Sequence, residues 1–123
     1  MIFDLELKEF GNSIGIQNLH LNDQGCLKFN FENNRSIYIE TNNNEIFFFI
    51  LNTYQLSPLP YSLYIKALNM CNEQRSYPFT IQAVAKSDQD VGFFLRLKDE
   101  LCDQPTIYKV FKFLLQCSES LDN

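Results

Sequence analysis

A chain of 123 residues fits one domain and cannot easily build two separate cores, so residues 1–123 are read as a single unit. Hydrophobic residues make up 46% and aromatics 15%, with twelve Phe, which supplies an ordinary core and leaves apolar surface to account for. The formal charge is −5 and the ten Lys and Arg are scattered, which argues against nucleic acid and anionic membrane as partners, since both select a cationic footprint.

The start, Met1-Ile2-Phe3-Asp4-Leu5-Glu6, lacks the basic residues and unbroken apolar run of a signal peptide. No window approaches the ~20 apolar residues of a membrane span, so membrane insertion is not expected. Cys26, Cys71, Cys102 and Cys117 are widely spaced. Two disulfides are possible on paper, but without an export signal buried free thiols are the simpler reading, and the cytoplasm is the expected address.

The pattern reads helix, three strands, helix, two strands, helix. Phe3, Leu7, Phe10 and Ile14 fall at i, i+4, i+7 and i+11, one narrow helical face, and Gly15 follows as a left-handed stop. Ile2 and Leu5 lie off that face. Asn22-Asp23-Gln24-Gly25 is turn chemistry. Strands are expected over Cys26–Phe31, Ser36–Thr41 and Glu45–Thr53, and the short Asn-rich connections between them suit an antiparallel meander. In the second, Ile37 and Ile39 alternate with Ser36, Tyr38 and Glu40. The third breaks the alternation: Ile46, Phe48 and Ile50 form one apolar face, and Phe47, Phe49 and Leu51 form another.

Pro58-Leu59-Pro60 introduces a helix over Tyr61–Glu73. Tyr61, Tyr64, Ile65, Leu68 and Cys71 form a core-type face, and Leu63, Ala67 and Met70 a second apolar strip beside it. A helix that only covers a sheet needs an apolar stripe of roughly 100°, and this one is wider. Phe79–Lys86 and Val91–Lys98 read as two more strands joined by Ser87-Asp88-Gln89-Asp90. Asp103 is placed to cap the last helix, with Pro105 in its first turn and Ile107, Val110, Phe111, Leu114 and Leu115 as its core face.

Catalytic signals are missing. His20 is the single histidine and reads as a loop or strand-edge residue. Metal-ligand spacing is lacking, and Asp88-x-Asp90 has neither the ligand series nor the distant Glu of a calcium loop. No phosphate-binding or nucleophile-elbow motif occurs. The expectation is therefore a binding protein with no catalytic residue, no metal and no cofactor. Surplus apolar surface marks the candidate sites. Ile2, Leu5, Phe47, Phe49 and Leu51, with Tyr38 on the second strand, are the candidate partner-binding residues. Leu63, Ala67 and Met70 are the candidate dimer strip.

Four segments carry a resemblance: Phe10-Gly11-Asn12-Ser13-Ile14-Gly15-Ile16; the run from Leu19 through Asn22-Asp23-Gln24-Gly25-Cys26-Leu27 to Phe29; Leu59-Pro60 ahead of Ala67-Leu68-Asn69-Met70; and the last amphipathic helix. In order, spacing and total length the chain resembles the class I chaperones of bacterial type III secretion systems. It departs from their pattern in its more apolar third strand and in Gln55-Leu56-Ser57-Pro58. The resemblance implies an α+β fold of order α-β-β-β-α-β-β-α, an antiparallel sheet flanked by helices, that dimerises largely through the second helix and the strands after it. It also implies a task performed without ATP in the bacterial cytoplasm: a homodimer binds the N-terminal chaperone-binding segment of a secreted effector and keeps it soluble and secretion-competent. The other reading of the same fold is a small regulatory or adaptor module that sequesters a regulator or a component of the secretion apparatus.

Overall fold

The computed structural model describes residues 2–73 and 76–123. In chain order it contains α1 (Ile2–Ser13), β1 (Cys26–Phe31), β2 (Arg35–Asn42), β3 (Glu45–Thr53), α2 (Tyr61–Asn72), β4 (Gln82–Val84), β5 (Asp90–Lys98) and α3 (Gln104–Asp122), with a short 3₁₀ turn at Asp99–Leu101. The α-β-β-β-α-β-β-α order expected from the sequence is the one observed. The strands form one antiparallel sheet, ordered β1-β2-β3-β5-β4, so β1 and β4 are its edges.

Asparagine makes the meander possible. Asn33 and Asn34 take φ of 64° and 60° between β1 and β2, and Asn43 takes 56° between β2 and β3. Asn tolerates this left-handed region better than other residues with a Cβ, and such backbone matches the twist of hairpin strands. The period-2 pattern then sorts side chains by face. Phe29, Ile37, Ile50, Phe93 and Ala83 lie in register across the sheet, facing the core, while Lys28, Tyr38, Phe49, Phe94 and Gln82 form the next row, facing away.

Helix α3 covers the inner face. Ile107, Val110 and Leu114 are fully buried, and Phe111, Phe113 and Cys117 nearly so. The Asp103 carboxylate accepts from the Thr106 amide at 2.9 Å, the expected cap. A second donor of this turn, the Gln104 amide, gives its hydrogen at 2.7 Å to Glu6 of α1, which fastens the two helices together. At the other end of α3 a polar clasp holds the helix to the sheet. Asn52, on the inner face of β3, donates to the Ser118 carbonyl at 3.0 Å and accepts from the Ser118 hydroxyl. Arg35 donates to the Ser118 hydroxyl and pairs with Asp122, which also accepts from Tyr54. Asn52 and Ser118 are buried, so each bond satisfies a group that burial would otherwise penalise.

Two expectations are corrected here. The fourth strand is confined to Gln82–Val84, shorter than Phe79–Lys86. Phe79 leans on Phe113 at 5.7 Å between ring centroids, and at the far end the Lys86 amide already bonds to the Asp90 carboxylate in the turn. Neither end is free to extend the ladder. Helix α2 is turned from the expected orientation: Ala67 is buried, with Leu63 and Met70 and, from the expected core face, Tyr64 and Cys71 packed on the core, whereas Tyr61, Ile65 and Leu68 of that face are exposed. Both strips have i, i+4, i+7 spacing, and the small Ala67 lets the helix backbone settle against β4 and β5.

Candidate partner-binding surfaces

The exit of α1 builds an apolar trough. The Gly15 amide bonds to the Asn12 carbonyl and the Ile16 amide returns to the Gly11 carbonyl at 2.8 Å, the paired bonds of a Schellman motif, with Gly15 at φ +86°. Gly11 is required for a different reason. A Cβ there would lie 2.7 Å from Leu19 Cβ and 2.8 Å from the Ile16 carbonyl oxygen, so only glycine lets the chain fold back over the helix. The returned loop leaves Ile14 and Ile16 partly exposed beside Phe29 and Phe31 of edge strand β1 and beside Tyr108 and Leu115 of α3. These residues line a trough of about 440 Å³. Sequence reading placed Ile14 on the core face and Leu115 in the core, and so missed this site. The signal was the glycine pair Gly11 and Gly15, whose purpose is to turn Ile14 and Ile16 outward.

The second surface is the outer face of the sheet. Tyr38, Phe47 and Phe49, three of the expected partner-binding residues, stand here half-buried with Phe94. Phe49 and Phe94 stack at 5.4 Å. Lys86 lies 4.2 Å above the Tyr38 ring and 3.8 Å from Glu40, which holds this aromatic row under a cation. Leu51 lies on the same face but is buried, which removes it from the free surface. It pairs with Gly92, where β5 closes so tightly on β3 that an added Cβ would fall 1.8 Å from the Ile50 carbonyl oxygen.

Two further apolar areas are open. Ile2 and Leu5 are 76% and 65% exposed at the start of α1. On α2, Tyr61 is 84% exposed and Ile65 and Leu68 are 55% exposed each. The residues expected to make the dimer strip lie elsewhere: Ala67 has no exposed surface, and Leu63 and Met70 spend theirs largely on the core. The free strip of α2 is displaced around the helix to Tyr61, Ile65 and Leu68.

His20 is exposed, its Nδ1 2.7 Å from the Asn18 carbonyl oxygen. Among the described residues no group of three His, Cys, Asp or Glu is placed to hold a metal ion, and no helix is long and apolar enough to cross a membrane. The four cysteines are thiols, not disulfides. Burial pushes the Cys102 thiol up to about 12 and the Cys117 thiol to about 11, the reverse of what activates a thiolate nucleophile.

The fold has relatives among solved structures. The structure of the Yersinia pestis type III secretion chaperone SycH in complex with a stable fragment of YscM2 matches with a TM-score of 0.71 at 16% identity, over 97% of this chain and 98% of the other. The HopA1–SchA chaperone–effector complex matches at 0.67 and 17% identity, over 93% and 88%. The heterodimeric ExoU–SpcU complex from the type III secretion system of Pseudomonas aeruginosa matches at 0.64 and 17% identity, over 98% and 94%. At these identities the likeness establishes the fold, that of type III secretion chaperones. No curated protein matches the sequence. A family model does, across residues 6–122, which takes in most of α1, the whole sheet, α2 and α3: the chain belongs to the Tir chaperone protein (CesT) family.

Proposed function

We propose that the chain is a type III secretion chaperone that binds the N-terminal segment of a secreted effector in the bacterial cytoplasm and keeps it soluble and competent for export. It acts as a homodimer and without ATP. The observation that carries this reading is the apolar trough of Ile14, Ile16, Tyr108 and Leu115 lying directly beside edge strand β1. An extended segment can pair its backbone with a free sheet edge while its alternate side chains fill a neighbouring pocket. Edge and pocket together suit an unfolded peptide better than a folded domain. The structures to which the fold is similar, a chaperone–effector complex and a chaperone with a protein fragment, agree with that use.

The two copies would meet through Tyr61, Ile65 and Leu68 of α2, since large apolar residues this exposed on one helix face are usually covered in the working assembly. The outer sheet face with Tyr38, Phe47 and Phe49, and Ile2 and Leu5 on α1, give the remaining length of a partner segment further apolar anchors. Leu51 is left out because it is buried.

The test is co-expression with the N-terminal segment of a secreted protein encoded beside this gene. Soluble segment should co-purify with the wild-type chain and be lost to the insoluble fraction with Ile14→Asp combined with Leu115→Asp. Equal recovery with both, the variant being folded by circular dichroism, would remove the trough from the binding surface.

A further inference from the structure

A second groove, of about 490 Å³, lies on the opposite flank of α3. Its floor is Phe113 and its walls are Met70 from the end of α2 and Tyr77 and Phe79 from the segment before β4. Tyr77 and Phe79 both lean on the Phe113 ring, at 5.4 and 5.7 Å, so the walls are fixed by aromatic packing. The rim is formed by Lys109 and Lys112, and no Asp or Glu lies among the described lining residues. That is unexpected on a chain with fifteen acidic and ten basic residues. Four other cations are engaged, Arg35 with Asp122, Lys86 with Glu40, Arg96 with Glu45 and Lys66 with the Asn123 carbonyl, while Lys8 and Lys98 stand singly on other parts of the surface. Lys109 and Lys112 have no hydrogen-bonded or ion-paired partner among the described residues, and Lys109 feels Asp103 only through space. Cys117 on the floor adds no negative charge, because burial keeps its thiol protonated.

Lys112 lines this groove and the α1 trough alike. The exposed ridge of α3 is therefore a divide with an apolar depression on each side and a cation on its crest. We infer that the groove of Met70, Tyr77, Phe79 and Phe113 takes an acidic–apolar stretch of the bound partner, its apolar side chain over Phe113 and its carboxylate on Lys109 and Lys112. This rests on the reading that the chain holds an extended partner segment. It adds that the segment crosses α3 and that it carries an acidic residue between two apolar anchors. The lysine pair, with no carboxylate among the described lining residues, complements an acidic segment.

The experiment is an amide-resolved NMR titration of the intact protein with a capped Glu-Phe-Leu-Glu tetrapeptide and its Gln-Phe-Leu-Gln counterpart. The acidic peptide should move the signals of Lys109, Phe113 and Gln116 and bind about fivefold more tightly than the neutral one at low salt, the scale of two exposed ion pairs. Salt should erase that preference. Lys109→Gln with Lys112→Gln should erase it too, and so should Ser120→Glu, which places a carboxylate at an exposed lining position. Equal binding of the two peptides, shifts confined to the Ile14 and Leu115 side, or no binding of either would overturn the inference. The wider reading fails separately, if Ile14→Asp with Leu115→Asp leaves capture of the secreted segment intact.

Discussion

Replacing Leu68 by Glu, alone or with Ile65→Glu, tests the α2 strip. Each side chain is 55% exposed in the single chain, so about half of the ~2 kcal/mol that burial of such a residue supplies is still available to an interface. Two residues in each of two symmetry-related copies contribute together about 4 kcal/mol, or a roughly thousandfold change in dissociation constant. A carboxylate in their place also has to be desolvated, which adds to the loss. Sedimentation equilibrium should report a mass of twice 14.5 kDa for the wild type and a fall towards 14.5 kDa for the variant. The melting temperature of the monomer should change little, because both positions are already in solvent. Ala67→Glu should behave differently and unfold the α2 region, since Ala67 has no exposed surface. The reasoning would be refuted by Leu68→Glu remaining dimeric while Leu63→Glu or Met70→Glu gave a folded monomer.

Three other substitutions probe the fold around the site. Gly11→Ala should lower stability by about 1–3 kcal/mol despite the ~1 kcal/mol gained in helix propensity, because the new Cβ meets Leu19 and the Ile16 carbonyl at under 3 Å; a rise in melting temperature would contradict the fold-back. Asn52→Ala should cost about 2–3 kcal/mol in denaturant unfolding, as it strips partners from buried Ser118, and an effect below about 0.5 kcal/mol would mean the clasp is not closed in solution. Tyr54 has its phenol raised to about 12 by burial and by its bond to Asp122. Being raised above the unfolded value near 10, this group's contribution is complete below pH 10 and is lost as pH climbs towards 12. Tyr54→Phe should therefore flatten the stability curve in that window and remove a late-titrating phenol from the ultraviolet titration. Loss of one that titrates near 10 would contradict this.

Much of this architecture could be read from residue spacing. The alternation around Ile37 and Ile39, the Asn connections and the Asp103 cap each depend on local chemistry, and each appears in the structure where the pattern puts it. Faces were harder. On α2 two strips share the same helical spacing, and spacing does not say which one meets the sheet; the small volume of Ala67 decides it. Leu51 follows Phe47 and Phe49 in period, yet it is buried at its place opposite Gly92 of β5, a tertiary placement that β3 alone does not encode. The trough was hidden because Ile14 continues the core periodicity of α1 one step beyond the helix, where the Schellman turn redirects it. The lysine-rimmed groove joins residues from three separated segments and has no linear signature.

The central claim, that the chain grips an extended segment of another protein at edge strand β1 and the adjoining trough, is tested most directly by amide hydrogen exchange on the complex with the secreted segment. The account predicts slowed exchange in β1, Cys26–Phe31, and around Ile14 and Ile16, together with protection of a short stretch of the segment itself. A stable complex in which β1 and the α1 exit exchange as fast as in the free chain would contradict it.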